Sequence, residues 1–190
     1  MASTASRARR DVIADQVRER PAPLILTAEL PGGLHGWATD LRRMHFPPER
    51  NFLDAHVTLF HALPPQVEDE LRTLLARLAG ETAPLPARLE GVMDLGGGTA
   101  LSLACPGLLD LRANIAEHFR GMLTAQDNHP PRLHITIQNK VPHKAARALQ
   151  AELAAAVAPR DVTIPGLALH RYCGGPWEFV RRFAFRGTRR

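Results

Sequence analysis

Two short segments far apart in the chain share one pattern, and no other feature narrows the possible folds as far. Leu53-Asp54-Ala55-His56-Val57-Thr58-Leu59-Phe60 is echoed by Pro131-Arg132-Leu133-His134-Ile135-Thr136-Ile137-Gln138. Side chains along a β-strand alternate between its two faces. Val57 and Leu59 then share one face and His56 and Thr58 the other, and the same division holds for Ile135 and Ile137 against His134 and Thr136. Each segment reads as a strand that packs an aliphatic face inward and presents an imidazole and a hydroxyl on the opposite side. One such segment is ordinary in a chain with nine histidines. Two of them, each inside its own strand–helix unit, point to a paired site.

The elements around these segments follow from periodicity and from the proline and glycine punctuation. A strand is predicted over residues 24–30 and a helix over 34–44, ended by Pro47-Pro48. A strand over 52–62 and an amphipathic helix over 67–78 come next. Residues 87–104 read as a hairpin about Gly96-Gly97-Gly98; the tract lacks the G-x-x-x-x-G-K-[ST] and G-x-G-x-x-G spacings, so it is not read as a phosphate loop. A helix over 108–123, a strand over 132–141 and a helix over 143–158 follow. A second hairpin joins 162–172 to 177–185. Strand–helix alternation with two hairpins argues for antiparallel pairing and an α+β fold.

Composition bounds the rest. At 190 residues, 45% hydrophobic and 23% charged, the chain can bury a real core. Its aliphatic runs are far too short to span a membrane. Arg7, Arg9 and Arg10 are followed by Asp11 and Asp15 with no apolar stretch, which does not read as a secretory signal. Residues 1–22 are expected to form a tail and 23–187 a single bilobal domain. The net charge of +5 favours polyanionic partners, nucleic acid or nucleotides first, although part of it sits in the two tails. Cys105 and Cys173 form no C-x-x-C and lie far apart in sequence, which fits a reduced, cytoplasmic protein better than one with a single disulfide; a monomer is expected.

The paired motifs H-V-T-L and H-I-T-I resemble the signature of the two-histidine (2H) phosphoesterases, and in particular the bacterial 2′-5′ RNA ligase, or RNA 2′,3′-cyclic phosphodiesterase, family. The resemblance covers residues 23–186. It implies a bilobal α+β fold with pseudo-twofold symmetry, in which antiparallel sheets with flanking helices set one H-x-T-x strand from each lobe on a central cleft. It also implies hydrolysis of 2′,3′-cyclic phosphodiesters of RNA ends or cyclic nucleotides to 2′-phosphates, reversible to 2′-5′ joining. Such chemistry needs one base and one acid near neutrality, which two histidines supply. By analogy with the family, His134 is the base and His56 the acid. Thr58 and Thr136 are placed to donate to the phosphoryl oxygens. No cofactor and no metal are expected, since the chain lacks H-x-H, H-E-x-x-H and paired-cysteine spacings.

Strand parity also sets Asp54, Phe60, Arg132 and Gln138 on the cleft face, Phe60 to stack a base and Arg132 to pair with phosphate, and turns His61 and Asn139 away as structural. Tyr172 and Trp177, with Phe179, are candidates to grip a nucleobase. The helix-end residues Arg42, Arg43 and His45 read equally as bordering the cleft or as a solvated face. His35, His45, His118, His129, His143 and His170 are expected at the surface or at helix ends. The alternative is an RNA- or nucleotide-binding protein that uses the same cleft without turnover; two intact motifs count against it, because a binder has no need of two imidazoles.

Overall fold

The computed structural model describes residues 22–188, so the tail expected over 1–22 lies outside the described residues but for its last position. Within them the elements run β1 (Leu24–Ala28), α1 (Gly32–His45), β2 (Val57–Leu63), α2 (Glu68–Glu81), β3 (Leu85–Asp94), β4 (Gly98–Ala104), α3 (Pro106–His118), β5 (His134–Asn139), α4 (His143–Ala156), β6 (Arg160–Ile164), β7 (Gly166–Tyr172) and β8 (Trp177–Ala184). They build two antiparallel sheets, ordered β2-β1-β7-β8 and β5-β4-β3-β6. The two orders correspond. Each sheet has an H-x-T-x strand at its edge, beside the strand that precedes it, with α1 or α3 in the connection. This is the bilobal, pseudo-twofold α+β architecture.

Local chemistry sets the helices. In α2, Glu68, Asp69 and Glu70 occupy the first turn, where the macrodipole favours negative charge. Leu71, Leu74, Leu75 and Leu78 form its buried stripe. Pro106 opens α3 at a position where its missing N–H goes unused. That helix stops at His118 rather than 123, and the chain turns away at Gly121, whose φ is 83°. The buried residues of both lobes form one hydrophobic cluster. Helix α1 packs on β5, the motif strand of the opposite sheet.

Two further features depart from the sequence reading. Residues 162–172 are not one strand. Pro165 has no N–H to continue a ladder, and the chain leaves the second sheet at Ile164 and enters the first at Gly166. Gly166 is required there, because a Cβ would lie 2.5 Å from the Phe183 carbonyl oxygen.

The other departure is a matched pair of bulges. Thr27 faces Thr58 but Leu26 faces Phe60; Ala100 faces Thr136 but Thr99 faces Gln138. One extra residue, Leu59 or Ile137, follows each threonine. Residues directly opposite one another share a sheet face, so the alternation that holds through each threonine reverses after it. Phe60 is thereby turned into the core with no accessible surface, and the Arg112 guanidinium sits 4.5 Å from its ring centroid. The expectation that Phe60 stacks a base is corrected. Gln138 is also buried, its amide donating to the His45 carbonyl at 3.3 Å. His61, expected to point inward, is exposed.

Candidate active site

The segment leading to His56 lies against α1. Thr39 Oγ1 accepts from the Ala55 N–H at 3.0 Å. Arg42 donates from Nε to the Leu53 carbonyl at 3.1 Å, from Nη2 to Asn51 Oδ1 at 3.0 Å and from Nη1 to the Thr136 carbonyl at 2.8 Å. One guanidinium therefore ties the approach to His56 to the motif strand of the other lobe. Arg42 is 4% exposed. Desolvation pulls its pKa down to about 10 against the opposing charge of Asp54, which leaves it cationic at neutrality. The solvated-face reading of Arg42 does not hold; its spacing from the buried Leu34 and Ala38 is the helical signal that marks it as inward-facing.

The two imidazoles are oriented alike. His56 Nδ1 lies 2.7 Å from the Asp54 carbonyl, and His134 Nδ1 lies 2.7 Å from the Arg132 carbonyl. A carbonyl only accepts, so each Nδ1 carries a proton and each Nε2 is left for chemistry. The rings are near enough that charge on His134 disfavours charge on His56. Desolvation above all pushes the His56 pKa down to about 4; its bond to the Asp54 carbonyl opposes this, and Arg42, His170 and His134 add to it. His56 is neutral at pH 7. Thr58 and Thr136 are half-buried, each two residues beyond its histidine on the same face.

Concave surface flanks each ring. On the His56 side a cavity of about 800 Å³ is lined by Phe52, His170, Trp177 and Phe179. The Trp177 ring lies 4.8 Å from that of His56 and 5.5 Å from that of His170. Thr27 Oγ1 donates to the Ala168 carbonyl and sits 3.3 Å from His170 Nε2. His170 is thus a strand residue in the cavity wall, not the surface or helix-end histidine expected, and desolvation lowers its pKa. Phe52 was not singled out from sequence; an aromatic four residues before His56, in a chain only 5% aromatic, was the available signal. Tyr172 is the cross-strand partner of Trp177 and 42% exposed, but it is not among the cavity's lining residues. On the His134 side, Arg132 and His134 line a second cavity of about 210 Å³.

Among the described residues no three His, Cys, Asp or Glu side chains gather as metal ligands. Cys105 is buried and Cys173 exposed, each unpaired. No helix among them is long and apolar enough to cross a membrane.

Two pseudosymmetric lobes, each with an H-x-T-x strand at its sheet edge, define a two-histidine phosphoesterase fold. The chain belongs to the 2′-5′ RNA ligase superfamily, whose family model matches residues 30–176. Its fold is similar to that of TT0787 of Thermus thermophilus, with 20% identity, a TM-score of 0.61, and 88% of this chain and 100% of that one covered. It is also similar to E. coli LigT complexed with NADP+ (19% identity, TM-score 0.58, 88% and 99% covered) and with 3′-AMP (18%, 0.55, 87% and 99%). No curated protein matches. The family makes the chain an enzyme of the phosphoesterase or RNA ligase type.

Proposed function

We propose that this protein is a metal-independent phosphodiesterase that opens 2′,3′-cyclic phosphates of RNA ends or nucleotides to 2′-phosphates. The observation that carries the reading is the pair of imidazoles, each with Nδ1–H fixed on a carbonyl and Nε2 left available, each followed by a threonine on the same face. His56 is neutral at pH 7 because of its burial, which is the form a general base needs. In hydrolysis His56 Nε2 takes a proton from water as its oxygen bonds to phosphorus. The bond from phosphorus to the 3′-oxygen breaks, and His134 supplies that oxygen with a proton. This reverses the assignment carried over from the family. With a 5′-hydroxyl in place of water, the same transfers in the same direction join a cyclic end in a 2′-5′ linkage, and run backward they cleave that linkage to the cyclic end.

Thr58 and Thr136 donate to the non-bridging oxygens, whose charge rises in the transition state. Trp177 offers a face to the base in the larger cavity, with Tyr172 as its neighbour on the adjacent strand, and Arg132 pairs with phosphate. The complexes of E. coli LigT with 3′-AMP and with NADP+ lend support to a nucleotide in this cleft. Incubation with 2′,3′-cyclic nucleotides, with products separated by chromatography, tests the reading. A 2′-phosphate should form in the presence of a chelator; a protein that binds the nucleotide and releases it unchanged is a binder instead.

A further inference from the structure

The bulge after Thr58 brings His61 out beside the smaller cavity, where five cationic or ionisable side chains surround a structural carboxylate. Asp127, 2% exposed, accepts from the His61 and Ala62 amides at 3.0 Å and from His61 Nδ1 at 3.1 Å. Thr124 Oγ1 donates to it as well, at 3.3 Å. Burial works to raise the Asp127 pKa, but these bonds outweigh it and hold the carboxyl below its usual range. Its oxygens are therefore occupied, and its charge is spent on orienting His61. With Nδ1–H given to Asp127, the ring presents Nε2.

Arg112 lines the same space. It is 4% exposed, it donates from Nη2 to the Asp127 carbonyl, and its Nε has no hydrogen-bond partner. Arg132, His129 and His134 complete the polar wall. At about 210 Å³ the cavity is below the range of pockets that take drug-sized ligands, and it suits a phosphate group better than a nucleoside.

We infer that this cavity is a second phosphate subsite, in which His61, Arg112 and Arg132 receive the phosphate on the 5′-oxygen of the terminal nucleoside while its 2′,3′-cyclic phosphate lies between His56 and His134. The inference rests on the function proposed above and adds a substrate preference to it. The same group is present as a free 5′-phosphate on a mononucleotide and as the neighbouring phosphodiester at an RNA end. A phosphate oxygen at Nε2 accepts from the ring when that nitrogen also carries a proton, the Nδ1–H remaining donated to the Asp127 carboxylate.

Steady-state kinetics with adenosine 2′,3′-cyclic phosphate, its 5′-phosphorylated form and a dinucleotide ending in the same cyclic group tests this. The wild-type chain should favour one or both of the phosphate-bearing substrates in kcat/KM by about tenfold or more, the scale of one hydrogen bond to a charged group. A gain with both assigns the subsite to any 5′-phosphate, and a gain with the dinucleotide alone assigns it to the RNA chain. His61→Gln and Arg132→Gln should each bring that ratio toward one. Equal ratios in wild type and His61→Gln overturn the subsite even if cyclic phosphate is hydrolysed well. Should nothing be hydrolysed, the proposed function fails on its own. Inorganic phosphate followed by imidazole NMR then decides the subsite: saturable shifts at His61 and His129 uphold it, and shifts confined to His56 and His134 overturn it.

Discussion

His56 gives up its proton near pH 4 because the protein around it replaces water without offering a negative charge in return. Turnover that needs a neutral His56 should persist as pH falls through the ordinary histidine range. In kcat/KM for a cyclic nucleotide, the acid limb should then lie near pH 4 rather than near 6.5. The limb in kcat should lie higher, since a bound phosphate anion favours the imidazolium. Stability moves with the same proton. The unfolded chain takes it up first, so the His56 contribution is fully present above pH 6.5 and is lost as pH falls toward about 4; denaturant midpoints across that window measure it. Replacing His56 or His134 with alanine should cut turnover by roughly 10²–10⁴. Thr58→Val or Thr136→Val should cost about 1–3 kcal/mol in transition-state stabilisation, read from kcat/KM. These four residues were legible because motif and strand parity are local. Arg42 reads in the sequence equally as cleft border or solvated face; helical spacing turns it inward, but its partner, a carbonyl of the other lobe, is one that no spacing reveals.

At the scale of elements, the bulges decide what each motif strand shows to the cleft. Simple alternation extends only as far as the threonine, and the extra residue arises from pairing with β1 or β4, which is invisible in the motif itself. Phe60 is the sharpest case. Phe60→Ala should lower stability by about 3–5 kcal/mol, the range for emptying a buried aromatic site. Protein that remains folded should keep its KM for a cyclic nucleotide; a KM that rises with stability unchanged would restore the base-stacking role. Arg42→Met tests the clamp between α1, the His56 approach and β5. Loss of its bonds to Leu53, Asn51 and Thr136 should destabilise by at least about 3 kcal/mol in a denaturant titration. The hairpins and helices were readable because glycine runs, proline stops and apolar stripes act within one segment. The break at Pro165 was also written in the chain, but its consequence, a change of sheet, depends on which edges the rest of the fold leaves open.

The whole molecule is held by that change of sheet. One sheet takes β1 and β2 from early in the chain and β7 and β8 from late in it, whereas β3 to β6 come from one unbroken stretch. The shared hydrophobic cluster joins the two, so both lobes should unfold in one transition by calorimetry. Gly166→Ala drives a methyl toward the Phe183 carbonyl and should lower that transition by an amount equivalent to about 1–3 kcal/mol, the usual cost of overpacking. The same strand order has a consequence during synthesis, when residues leave the ribosome at roughly 5–20 per second. The sheet that carries His134 has all four of its strands as soon as β6 emerges. The sheet beside His56 does not, because β1 still lacks the neighbour that will cover one side of it. A nascent chain arrested before Gly166 would present that uncovered strand to any chaperone within reach, with half of the cleft already built.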